Sequence, residues 1–454
     1  MRATTRPNTR HPAAAPLALP RTTPPRLPRA LALLLLLALT LLTPLAHAQT
    51  TYAWTGAISN QWSVAGNWNP IGVPANGDSL VFPAGAANLT NNNDLPVGRS
   101  LAQVTFTGSN YTLSGNDITL SNSISSQFGL NNNIINLPMN FASHAVSING
   151  TGMAISAPIS GDGSITLNQL GGSCSQMQAF SGTHTFNGTL TTMGCVQAQL
   201  NGASFAAATV VHGSQGLFGN GTLGALTWNA NTWLAVGGNN VSNPFSDTST
   251  GILNTGALAF GGIGQVFMNI NGASLGAGYD QINVTGSVTL GTQKTLNLTL
   301  GSSFVPALGQ QFVLINNDGA DAVSGTFSGL PQGSTITLGG AEFQLSYSGG
   351  TGNDVVLTCT FSPKAWNGSV SGLWSNPNNW TPVGVPAPGD GLLFPSGAIR
   401  LNSTNDLLAG TTFSRITFTG SNYTLSGNDI TLSNSISSQF GLNNNIINLP
   451  MNFA

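Results

Sequence analysis

Short runs in which apolar and polar residues alternate recur along most of this chain. They include Val104-Thr-Phe106, Tyr111-Thr-Leu113, Ile118-Thr-Leu120, Ile165-Thr-Leu167, Ile282-Asn-Val284, Val288-Thr-Leu290 and Leu296-Asn-Leu298-Thr-Leu300. A period of two, broken every few residues by Gly, Asn or Ser-Gly, predicts half-buried strands joined by tight turns. No stretch beyond residue 48 carries a helix-length apolar stripe with capping residues, so the expected fold is all-β. Sandwiches and stacked coils both use many short strands. The pattern here favours a right-handed β-solenoid. Ser160-Gly-Asp-Gly-Ser-Ile165-Thr-Leu167 and Phe180-Ser-Gly-Thr-His-Thr-Phe186-Asn-Gly-Thr-Leu190 read as successive rungs with Gly or Asn at the corners. Asn91-Asn-Asn93 and Asn131-Asn-Asn133 suit amide ladders, in which each side chain bonds its neighbours above and below.

The chain also repeats itself. Residues Thr105 to Ala142 recur unchanged as Thr417 to Ala454, an offset of 312. Upstream the copies still align but have diverged. Trp54-Thr-Gly56, Trp62-Ser63, Asn67-Trp68, Gly72-Val-Pro74 and Gly77-Asp78 correspond to Trp366-Asn-Gly368, Trp374-Ser375, Asn379-Trp380, Gly384-Val-Pro386 and Gly389-Asp390. The expected organisation follows: a targeting segment over 1–48, a Trp-rich head of the first repeat over 49–104, a β-solenoid over 105–278 and a compact β module closing the repeat over 279–361. A second repeat, head plus first strands, occupies 362–454 and reads as truncated, so the sequence reads as a fragment of a longer protein.

Charge sharpens this picture. Arg2, Arg6, Arg10, Arg21, Arg26 and Arg29 precede the apolar run Leu31 to Leu42, and Ala46-His47-Ala48 offers a small-residue cleavage site ahead of Gln49. That is the layout of a removable signal peptide, and the apolar run is short of the roughly 20 residues that span a bilayer. The expectation is an exported protein, extracellular or on the outer surface of a bacterium, with no transmembrane segment in the mature chain. Six of the 11 basic residues lie in the leader, leaving five against 13 acidic ones. A surface so poor in Lys and Arg cannot neutralise a run of phosphates, which argues against nucleic acid as a partner.

Export makes the cysteines informative. In stacked coils spaced about 4.8 Å apart, a rung of roughly 20–25 residues would set Cys195 over Cys174 at bridging distance, making Cys174–Cys195 a candidate disulfide and leaving Cys359 over. Candidate chemistry is sparse. Asp318 and Asp321 are the closely spaced acids, in a turn-like Asn-Asn-Asp-Gly setting without a nearby cation, so an enzyme is not expected. Gly349-Gly-Thr-Gly-Asn-Asp354-Val-Val-Leu357 matches a calcium nonapeptide once. Such sites draw ligands from consecutive copies, so a turn into a final strand is expected, with no metal or other cofactor. His144, His184 and His212 lack metal-ligand spacing and read as surface or rung-corner residues. The six head tryptophans, Trp54, Trp62, Trp68, Trp366, Trp374 and Trp380, could stack on sugar rings or cap the open end of a solenoid.

Three stretches carry a resemblance. Gly219-Asn-Gly-Thr-Leu-Gly-Ala-Leu226-Thr-Trp228, Tyr279-Asp-Gln-Ile-Asn-Val-Thr-Gly-Ser-Val-Thr-Leu290-Gly291 and Gly349 to Leu357 together resemble autotransporter passengers and related bacterial β-strand-repeat surface proteins. Two features depart from that pattern: Leu234-Ala-Val-Gly237 stands where the family often has Leu-Ala-Pro-Gly, and the family's translocating β-barrel is not within these 454 residues. The resemblance implies a structural or adhesive surface protein whose partner is a surface ligand, a glycan or a host or abiotic surface. The alternatives are a carbohydrate-binding module using the Trp-rich heads and, less favoured, a polysaccharide-degrading β-helix enzyme.

Overall fold

The computed structural model describes residues 48–454 apart from 128, 151, 169–176, 230–231, 239–246 and 292. The fold is all-β. Among the described residues the helical elements are two 3-10 turns, Ala65–Asn67 and Pro377–Asn379. No helix among them is long and apolar enough to cross a membrane.

Almost all strand pairing from Ser79 to Gly325 is parallel, and it falls into three rows that the chain visits in strict rotation. The first row stacks Ser79–Pro83, then Gln103 to Thr107, Ser123 to Ser126, Ala145–Gly150, Ser164–Asn168 and Thr189 to Thr192. It continues through Thr209 to His212, Leu226–Trp228, Leu258–Phe260, Val288–Gly291 and Ser324–Gly325. The second row runs from Thr90–Asn93 through Thr112–Gly115, Asn133–Ile135 and Met153–Ile155 to Gly264–Ile270 and Lys294–Leu300. The third begins at Arg99 to Leu101 over Ile118 to Leu120 and Met139–Asn140, and reaches Ile252–Thr255, Gln281–Val284 and Gln311–Asn317. Strand residues face inward and outward alternately. The inward columns therefore collect Leu, Ile, Val and Phe, as in Val104, Ile124, Ile148 and Leu167, all buried.

The rows begin inside the segment read as the head, at Ser79, and continue into the segment read as the closing module. What distinguishes that module is a change to antiparallel pairing. Gln311–Asn317 pairs antiparallel with Asp354–Phe361, which pairs in turn with Ala341–Gly349, itself one arm of a hairpin with Thr335–Leu338. One continuous core extends from Trp54 to Cys359.

The second repeat starts a new set of sheets rather than extending the old ones. Lys364–Trp366, Gly391–Phe394, Thr411–Phe418, Ile430–Ser438 and Met451–Phe453 belong to one sheet, and Asn402–Asn405, Thr424–Gly427 and Ile446–Ile447 to another. Their core, from Trp366 to Leu449, is separate from the first. Contacts between the repeats include an Arg415–Glu342 ion pair at 2.5 Å, with the Arg415 guanidinium 4.6 Å from the Phe361 ring centre. Gln103 stands at the corresponding position of the first repeat, so this junction uses a position where the copies have diverged.

Asn ladders form, in part where expected. Asn132 donates to Asn110 at 3.1 Å, and the repeated Asn444 to Asn422 at 3.2 Å. A longer ladder joins Asn254, Asn283 and Asn316 on consecutive strands, at 2.8 and 3.2 Å. Cys174 lies outside the described residues and only the backbone of Cys195 lies within them, so the candidate bridge between them does too. Cys359 is a buried free thiol.

Gly150 shows how tightly adjacent strands approach. Its φ is +96°, and a Cβ there would sit 1.7 Å from the Ser126 carbonyl oxygen. Gly77 also has positive φ, +88°, but faces open space. Gly77→Ala should cost only the backbone strain of about 1 kcal/mol. Gly150→Ala should cost about 3 kcal/mol or more, because backbone must move as well. Urea unfolding of the two variants would show this difference, and equal losses would contradict the packing described.

Candidate functional site

The two Trp-rich heads are the most elaborate side-chain constructions in the chain, and they share one design. Thr51–Trp54 pairs antiparallel with Trp68–Asn69 on one side and parallel with Ser79–Pro83 on the other. Trp54, Trp62 and Trp68 converge beneath this small sheet, with Trp54 and Trp62 set edge-on to Trp68 at 4.9 and 5.9 Å between ring centres. Trp62 rests against Phe82, which stacks at 5.4 Å on Phe106 of the next strand in the first row. The tryptophans thus close the aromatic column of the core. In the second repeat Trp366, Trp374, Trp380, Phe394 and Phe418 reproduce the arrangement.

Every indole N–H in the heads has a partner. Trp54 donates to the Asn88 carbonyl, Trp62 to Asn91 Oδ1 and Trp68 to the Trp62 carbonyl. Trp366, Trp374 and Trp380 donate to the Arg400 carbonyl, Ser403 Oγ and the Trp374 carbonyl. Replacement of Asn91 by Ser403 keeps an acceptor, and a backbone acceptor makes Asn88 and Arg400 interchangeable. Asn67 knits the intervening loop: its Oδ1 accepts from the Ile58 and Ser59 amides, while Nδ2 donates to Ser59 Oγ and the Gln61 carbonyl. Asn379 makes the same four bonds. Gly56, at φ +58°, lets this loop pass Trp54, where a Cβ would lie 2.9 Å from the indole nitrogen.

All six tryptophans are at most 1% exposed. None offers a ring face on which a sugar could stack.

The ionisable residues are divided between the core and the surface. His184 and His212 are buried rather than on the surface, His184 just past the end of the strand Met177–Thr183 and His212 within Thr209–Leu223, whereas His144 is exposed. The reason is columnar packing. His184 lies flat on Phe205, 4.1 Å between ring centres, and its Nδ1 accepts from the Ile159 amide. His212 continues an inward column with Trp228 and Phe260 and contacts Thr192 Oγ1 through Nδ1 at 2.8 Å. Burial pushes His184 down to about 4 and His212 to about 3, so both stay neutral near pH 7. Lys294 sits over the Trp228 ring at 4.1 Å and donates to the Ile263 carbonyl, and burial lowers it to about 8.

Asp280 is fully buried, accepting from the Gly251 and Asn269 amides at 2.7 and 2.6 Å. Burial pushes it up to about 8, outweighing those two amides, with the Asp247 charge adding to the rise. Asp354, in the single nonapeptide match, accepts from the Asn317 and Thr351 amides and anchors the turn between the last two strands of the module. Asp318 and Asp321 are exposed. No group of three or more metal-ligating side chains occurs among the described residues. Comparison of the chain with protein-family models, curated proteins and solved structures finds no match.

Two outcomes follow. Trp68→Ala should destabilise the first head by about 3–5 kcal/mol through the cavity it leaves, read as a lowered urea midpoint; a variant with unchanged stability would mean the cluster is not a cap. The second concerns pH. A histidine whose pKa is lowered by folding contributes stability that is complete above its unfolded value of about 6.5 and is lost as pH falls. Asp280, raised by folding, acts in the opposite sense, its contribution being complete below about 4 and lost as pH rises through 8. His212→Gln should therefore flatten the fall in stability between pH 6.5 and 4.5 by up to about 1.4 kcal/mol per pH unit. Urea midpoints across that range would check it, an unchanged slope being the contrary result.

Proposed function

We propose that this chain is an exported, non-catalytic structural or adhesive repeat protein of a bacterial cell surface, built as a right-handed β-solenoid with Trp-capped repeats. The observation that carries the reading is the strict rotation of the chain through three parallel rows, with strand stacked on strand in register. Connections between parallel strands of one sheet are overwhelmingly right-handed, which supports the handedness. Stacked coils suit a stalk because each coil repeats the backbone bonds of the last and needs neither charge nor metal.

The head arrangement supports capping. Exposed solenoid ends present unpaired strand edges that invite unwanted pairing, and the antiparallel Thr51–Trp54 and Trp68–Asn69 pair covers one such end. The arginine-rich leader and its Ala46-His47-Ala48 site support export. The resemblance to autotransporter passengers supports a surface address, with exposed Asn and Thr supplying contacts to a glycan or another surface. The buried histidines and the dispersed, amide-bonded carboxylates favour this reading over hydrolysis, which needs carboxylates facing one another across a substrate.

Expression in a Gram-negative host with secretion machinery tests the proposal. The expected mature N-terminus is Gln49, the protein should be removed by protease added to intact cells, and deletion of its gene from the natural host should reduce attachment severalfold. Retention of Met1 inside the cell would sink the export reading. Surface display with unchanged attachment would overturn adhesion and leave the stalk.

A further inference from the structure

The first head starts at the residue that removal of the leader would expose. Thr50 is tied into the fold on both sides of its main chain: its amide donates to Asp78 Oδ1 at 2.8 Å, and its carbonyl accepts from the Ser79 amide at 2.9 Å. The strand Thr51–Trp54 follows, paired with Trp68–Asn69 and Ser79–Pro83. Gln49 lies one residue outside this framework. It is exposed, and among the described residues no hydrogen bond holds its backbone nitrogen. Its side chain reaches back instead, Nε2 donating to Ser79 Oγ at 2.7 Å. The peptide bond before it joins two exposed residues, Ala48 and Gln49, and is the bond that the Ala46-His47-Ala48 site offers for cleavage.

We propose that Gln49 is a modification site, at which the new terminal glutamine cyclises to pyroglutamate once the leader is removed. The inference rests on the leader cleavage proposed above. The freed α-amine attacks the side-chain Cδ of its own residue. A bond forms between the α-nitrogen and Cδ, the bond from Cδ to Nε2 breaks, and a proton passes from the attacking nitrogen to the departing one, which leaves as ammonia. No oxidation state changes, so no redox partner is needed. Amine and carboxamide belong to one residue, so the reaction is intramolecular and needs no encounter between molecules. An α-amino group titrates near 7.7–8.0, which leaves roughly a tenth of it as the free nucleophile at pH 7.

The fold permits this step because nothing in the sheet depends on the Gln49 backbone. Closing the lactam gives up one exposed hydrogen bond, to Ser79, and leaves the Thr50 anchorage and the paired strand as they are. The product has no terminal charge and no free amine, so an aminopeptidase that requires one has no starting point at the head of the first repeat.

Mass spectrometry of the exported protein tests the proposal. Between Gln49 and Arg99 the chain has no other Lys or Arg, so trypsin releases the new terminus as the single peptide Gln49 to Arg99. The expected peptide is lighter than its sequence by one ammonia, and pyroglutamyl aminopeptidase should convert it to one beginning at Thr50. A second preparation separates the chemistry from export: the chain starting at Gln49 is released from a fusion by a protease that leaves no extra residue. In neutral buffer this folded protein should lose ammonia at a rate within tenfold of the synthetic peptide Gln-Thr-Thr-Tyr-Ala-Trp, and the Gln49→Ala variant should keep its amine. A mature protein with an unmodified terminal Gln49, or a folded chain that cyclises more than tenfold slower than the peptide, would overturn this inference alone. A retained leader would overturn it together with the export reading.

Discussion

Parallel backbone pairing, renewed at each turn of the chain, is the constraint on which the rest of this structure depends. Each strand hands its neighbour a complete set of donors and acceptors in register, so the inward side chains fall into columns and must be mutually compatible along each column. Val104, Ile124, Ile148, Leu167, Thr192, His212, Trp228 and Phe260 form one such column. Its later part explains how a neutral histidine comes to be inside, next to the Trp228 and Phe260 rings, and how Lys294 is held over the Trp228 face. With charge so sparse, stability has to come from burial and from satisfied amides, and burial of apolar surface at roughly 25 cal/mol per Å² is the main favourable contribution.

A parallel stack has an unavoidable weakness at its ends, and the two Trp heads answer it in the same way. An antiparallel pair of short strands covers the first edge, and three indoles fill the space above the first Phe of the column. Each indole N–H is satisfied, since an unmatched buried donor would cost on the order of 1–3 kcal/mol. At the far end of the first repeat the solution differs. An antiparallel hairpin and the Asp354-anchored turn close this end, with the hairpin strand Thr335–Leu338 packed beside Lys294–Leu300. The second head then begins fresh sheets, so the core does not run through the junction.

Much of the fold was legible in the chain. Alternating triplets such as Ile118-Thr-Leu120 announced strands, and Gly and Asn between them announced turns; both describe local geometry, which neighbouring residues control. The paired heads were legible as equivalent because their spacing recurs at 312 residues. Where the rows begin was not. Ser79–Pro83 already carries the first strand of a row, but its residues look no different from the head around it. The longest amide ladder was missed for a related reason: Asn254, Asn283 and Asn316 are single residues far apart in sequence, and only register brings them together. The burial of His184 and His212 was missed because a histidine in a polar stretch gives no local sign that an aromatic ring from another strand, Phe205 or Trp228, will pack against it.

The sequence by itself determined the periodicity: an all-β chain, repeated, with apolar residues on one side of each strand and turns where Gly and Asn permit positive φ. These follow from dihedral preference and from a side-chain period of two, and both act over a few residues. Only tertiary structure decided what the tryptophans do, which polar residues lie inside, and which row stops short. Those outcomes depend on coil length and on stacking register. A shift of one residue turns every side chain of a strand to the opposite side, and pairing between strands 16 to 35 residues apart sets that register.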